Sequence, residues 1–90
     1  MTRDAPLTLA AAAIGEALVV REVLAPPDAP EWARWLDEIG FIADERVMVV
    51  ARFVPGGDPL VVRIGDSTFA LRRAEAACVH VAPSSSTQGA

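Results

Sequence analysis

The sequence predicts a mainly β fold: a small barrel of about five antiparallel strands with one short α-helix between strands 1 and 2. Apolar and polar residues alternate through much of residues 46–81, the period of half-buried strands. The runs are separated by turn-forming residues, Pro55-Gly56-Gly57-Asp58-Pro59 and Gly65-Asp66, as hairpins require. Only one segment, Trp32 to Ile39, has its apolar residues at helical spacing. The 90 residues make one small domain that buries only about 60–65% of the surface its unfolded chain exposes. A single-faced sheet of that size must curl upon itself to enclose a core.

Ala17 to Leu24 is rich in valine and leucine and stops at Pro26-Pro27, which blocks extension of a strand or a helix. This is the first strand. The helix follows, with Trp32, Trp35, Leu36 and Ile39 on one face. Asp28 is placed to cap it, with Glu31 three residues on, and Gly40 to stop it in the left-handed conformation. From Arg46 to Phe53 the alternation turns Val47, Val49, Ala51 and Phe53 inward, and Arg46, Met48, Val50 and Arg52 outward. Leu60, Val62 and Ile64 form the next inward set. Gly65-Asp66 reads as a tight hairpin, and Phe69 and Leu71 continue the inner face. Glu75 to Ala77 allows one helical turn, and Val79 and Val81 close the sheet. The architecture is that of a small SH3-like barrel, with residues 1–6 a flexible N-terminus, 7–81 the domain and 82–90 a small, polar, disordered tail.

Composition excludes several function classes. Hydrophobic residues make up 52% of the chain, yet no apolar run approaches the roughly 18–20 residues of a membrane span. The segment Leu9 to Ile14 is too short and poorly flanked for a secretory signal, which places the protein in the cytoplasm. A lone cysteine, Cys78, fits a reducing compartment. The net charge is -4 and all eight basic residues are scattered arginines, so a nucleic-acid partner is not expected. One histidine, no lysine, no tyrosine and a serine set concentrated in the tail assemble no nucleophile, base and orienting group. An enzyme is not expected. Gly56-Gly57-Asp58 lacks the lysine and following helix of a phosphate-binding loop.

The order of segments resembles the FeoA family, the small cytosolic component of bacterial ferrous iron uptake. The resemblance rests on Leu9 and Gly15, Leu36-Asp37-Glu38-Ile39-Gly40-Phe41, Val47-Met48-Val49, Gly57-Asp58-Pro59-Leu60-Val61-Val62, Ala70-Leu71-Arg72 and Glu75-Ala76-Ala77-Cys78-Val79-His80-Val81. It implies an SH3-like domain that binds and modulates FeoB, a GTP-dependent membrane transporter, in an accessory role at the inner membrane. A related barrel ends the iron-responsive repressors of the diphtheria-toxin-repressor type, whose helix-turn-helix and dimerisation segments this chain lacks. Two departures stand out. Ala43-Asp44 replaces the usual proline-glycine turn, and Asp66-Ser67 is less apolar than is usual there.

Two sets of residues are candidates for function. Cys78 and His80, two apart on a strand whose Val79 and Val81 face inward, are expected to point together off the core. With Glu75 or a second subunit they could ligate zinc or Fe(II), giving a metal-binding or metal-sensing domain or a metal-bridged homodimer. The metal reading is the alternative; the leading, accessory reading requires no cofactor. Trp32 and Trp35 serve either as core or as partner anchors, and the short helix should leave one indole edge exposed. Arg52, Arg63 and Arg72, on outer faces, are candidates for pairing with acidic groups of a partner, against the plainer reading of solvated charge. A proline-rich-peptide groove is disfavoured, since it needs several aromatic residues and this chain has no tyrosine.

Overall fold

The computed structural model describes residues 7–84. It contains strands β1 (Leu7–Thr8), β2 (Leu18–Val23), β3 (Arg46–Arg52), β4 (Leu60–Ile64), β5 (Ser67–Leu71) and β6 (Val79–Pro83), helices α1 (Glu31–Glu38) and α2 (Arg73–Ala76), and a 3-10 turn at Leu9–Ala11. All six strands lie in one antiparallel sheet ordered β1-β6-β2-β3-β4-β5.

The sequence expectation needs correcting in strand number and closure. The additional strand is β1, which pairs Leu7 with Val81 and Thr8 with His80; two residues are too few to display a period. It also moves the helix, which lies between β2 and β3 rather than between strands 1 and 2. The sheet is not closed, because its end strands β1 and β5 do not pair with each other. Its curl comes partly from two register shifts, between Val20 and Glu22 on β2 and between Val49 and Ala51 on β3, since an extra residue in one strand bends it and raises its twist. β6 runs to Pro83, which stands opposite Leu18, and Ser84 donates its N–H to Ala17. The expectations for residues 1–6 and 85–90 lie outside the described residues.

The core contains Leu18, Val20, Val47, Val49, Leu60, Val62, Ile64, Leu71, Val79 and Val81 from the strands, together with Leu9, Leu36, Phe41 and Ala76. Those strand residues occupy alternate positions, as a half-buried sheet dictates. Ala51 and Phe53 are exceptions among the expected inward residues. Beyond the register shift Ala51 stands opposite Val61, off the core, and Phe53 follows it out, lying beyond the end of β3 and 54% exposed.

Helix α1 buries Leu36 and packs Trp32 and Ile39 partly against the core. Asp28 does not cap it: the N-cap is Pro30, without a side-chain bond. The C-terminus follows expectation closely. Gly40, at φ 119°, donates to Asp37 at 3.1 Å and Phe41 donates to Leu36 at 2.9 Å, the paired bonds of a Schellman stop. Phe41 and Leu36 are both buried, so the stop also turns the chain into the core. At the departure from the family pattern, Asp44 itself adopts φ 76° and donates to the Val20 carbonyl at 2.8 Å. The left-handed residue that a glycine would supply is thus retained with an aspartate.

Candidate functional site

The N-terminus of α2 and the loop before β4 are tied into one unit. The Asp58 carboxylate accepts the Arg73 N–H at 2.9 Å, and the Arg73 guanidinium donates to the Gly56 carbonyl at 2.6 Å. The Glu75 carboxylate accepts the Arg72 N–H at 2.8 Å, satisfying a helix-terminal donor as a capping glutamate does. Beside this unit lies a cleft of about 490 Å³ lined by Trp35, Asp58, Pro59, Ala70, Arg72 and Glu75. Trp35 is 39% exposed, which matches the expected bare indole edge. A rigid aromatic wall, a cation and two anchored carboxylates thus meet at one opening. The loop 53–59 carries two further apolar residues, with Val54 being 87% exposed beside Phe53, and exposed apolar groups around polar ones mark docking surfaces.

The other candidates go elsewhere. Trp32 packs against the core. Arg63 is exposed and borders a separate groove of about 330 Å³ with Arg46, Met48, Ala17 and Ser84. Arg52 corrects the sequence reading. The register shift at Val50 reverses the alternation, so that Arg52 stands opposite the core residue Leu60. From there its guanidinium donates to the carbonyls of Ala10 at 3.0 Å and Ala12 at 2.7 Å. It closes the 3-10 turn onto the sheet rather than facing a partner.

Cys78 and His80 do not point the same way. α2 ends at Ala76 and β6 begins at Val79, so Cys78 belongs to the intervening turn. Its side chain is buried in the core and its thiol donates to the Ala74 carbonyl at 3.5 Å. Burial first, and then the Glu75 carboxylate, push that thiol above its ordinary value, which disfavours the thiolate a metal needs. His80 lies half-buried on β6 between Thr8 and Glu22, on the face away from Val79 and Val81. Among the described residues no group of three or more histidine, cysteine, aspartate or glutamate side chains is arranged to hold a metal ion.

What sequence reasoning missed was the contribution of Asp58 and Pro59 to the cleft. The available signal was a turn-rich run immediately after two apolar residues, Phe53-Val54, that no strand could bury.

The FeoA domain model matches residues 7–83 of this chain. The FeoA of Stenotrophomonas maltophilia is similar at 38% identity, with a TM-score of 0.77, over 84% of this chain and 89% of that one. It is described as a procaryotic SH3 domain protein complexed with zinc, for which a role in activating ferrous iron transport has been suggested. The FeoA protein of Chlorobium tepidum is similar at 28% identity and a TM-score of 0.71, over 86% of this chain and 70% of that one. A manganese-dependent transcriptional repressor complexed with manganese shares the fold, with a TM-score of 0.74 at 23% identity, and this chain spans 39% of its length. No curated protein matches the chain.

Proposed function

This chain belongs to the FeoA family, and from that premise we propose that it is a non-enzymatic accessory protein that binds and modulates a FeoB-type, GTP-dependent ferrous iron transporter. The family is associated with ferrous iron transport. The observation that carries the docking part is the Trp35 cleft, where an exposed indole edge, Arg72 and the anchored Asp58 and Glu75 converge. Interfaces draw most of their affinity from a few tryptophan and arginine anchors in such settings. No helix among the described residues is long and apolar enough to cross a membrane; the membrane association proposed here runs through the transporter.

The metal-sensing alternative finds less support, since Cys78 is in the core and Glu75 is engaged as a helix cap. Deleting the gene and measuring ferrous iron uptake tests the accessory role. Uptake should fall, return with the wild-type chain and return only in part with Trp35→Ala. Unchanged uptake on deletion would overturn the proposal.

A further inference from the structure

We propose that this chain self-associates through the open edge of β5, forming a two-fold dimer in which two β5 strands pair antiparallel and the two sheets become one. This goes beyond the transporter reading and rests on the strand edge rather than on the cleft, with Ala70 and Arg72 belonging to both.

Among the described residues nothing pairs with the outer edge of β5. The direction of its backbone groups follows from the hairpin. Gly65 donates to Arg46 on β3, so along β4 the odd-numbered residues address β3 and Leu60, Val62 and Ile64 address β5, because the two directions alternate in an antiparallel strand. Their partners are Leu71, Phe69 and Ser67. Thr68 and Ala70 therefore aim their N–H and C=O groups outward, and both residues are exposed.

Exposed edges are ordinarily blunted by charge, proline, a bulge or extreme shortness. β5 has none of these. It reads Ser-Thr-Phe-Ala-Leu, runs five residues and keeps an unbroken register with β4.

A second copy is the occupant because of charge placement. Asp66 precedes the strand and Arg72 follows it, and both are exposed. When Thr68 of one copy pairs with Ala70 of the other, all the outward groups of both residues are satisfied. In that register Phe69 meets its own counterpart, and Asp66 of each copy stands opposite Arg72 of the other. Opposite charges directly across a ladder stabilise the pairing, and like charges oppose it. Phe69 is half-buried and its ring lies 6.5 Å from that of Phe41, so the meeting of the two Phe69 side chains continues each core toward the seam.

The test is sedimentation equilibrium of the full chain. Ala70 and Arg72 also line the Trp35 cleft, so the assay uses this chain alone, where dimerisation is read with no transporter present and a failure leaves the docking reading standing. Gly65 takes φ 58° and Asp66 does not have a positive φ, so the turn accepts arginine at the second position. Wild type should dimerise with concentration. Asp66→Arg, which turns both cross-strand pairs into like-charge pairs, should weaken the dimer about tenfold, and Asp66→Arg with Arg72→Asp should restore it. Thr68→Pro removes an outward N–H while leaving the β4 ladder intact and should abolish the dimer without unfolding the chain. A wild type that remains monomeric at about 1 mM, or a double charge reversal no better than the single one, overturns the proposal.

Discussion

Replacing Arg52 with alanine should destabilise the domain far more than removing a surface arginine. Its guanidinium donates to the Ala12 carbonyl at 2.7 Å and the Ala10 carbonyl at 3.0 Å, and hydrogen bonds involving a charged group contribute about 1.5–3 kcal/mol each. The site is only partly buried, and water will recover some of that for the stranded carbonyls. The expected loss is about 2–4 kcal/mol against a total of about 4–12 kcal/mol for a domain of this size. Urea titration should show a lower midpoint with an unchanged slope, because the surface exposed on unfolding is the same. The thermal midpoint should fall by about 10–25 °C. Arg63→Ala, on an exposed position of β4, should stay within about 0.5 kcal/mol of wild type. If Arg52→Ala also costs less than about 0.5 kcal/mol, the register shift at Val50 does not turn the side chain inward and the structural role assigned to it is wrong.

The two left-handed residues around the α1 stop should respond in opposite directions. Gly40→Ala should cost about 1–2 kcal/mol in backbone strain alone, since an added Cβ would meet Ile64 at an ordinary 3.7 Å; Asp44→Gly should stabilise by about 0.5 kcal/mol once the greater chain entropy of glycine is deducted. Thermal melts of the two variants check both signs. Cys78 should react slowly with an aromatic disulfide near neutral pH, because burial and Glu75 hold its thiol above the ordinary value. The neutral thiol is the form the fold favours, so this contribution is complete below 9.0 and is lost as pH rises toward the higher folded-state value. Alkylation rates across alkaline pH should show the transition shifted upward, and Glu75→Gln should move it back down.

Much of the sheet was legible because its core positions alternate without ambiguity: Val47 and Val49, then Leu60, Val62 and Ile64, then Val79 and Val81. The helix stop was legible because Gly40 follows the last apolar position of the 3.6-residue pattern, whereas Pro30 displaced the expected cap from Asp28. The illegible parts share a physical origin in parity. Val47-Met48-Val49-Val50-Ala51 is apolar on both faces, so nothing in it signals that Val50 is the extra residue, and strict alternation puts Arg52 outward. Ala74-Glu75-Ala76-Ala77-Cys78 likewise carries too few large side chains to reveal where the helical turn ends, and alternation extended back from Val79 puts Cys78 on the wrong side. The cleft joins Trp35 to Asp58 and Arg72 across separations that only tertiary structure creates.

The most direct test of the docking account is calorimetric titration of this protein with the cytosolic GTP-binding part of its FeoB-type transporter, with and without guanine nucleotide. Binding to wild type should weaken about 30-fold in Trp35→Ala, as for an anchor contributing about 2 kcal/mol, and should be unaffected by Arg63→Ala. Absence of binding in every nucleotide state, or equal affinity for wild type and Trp35→Ala, would contradict the account.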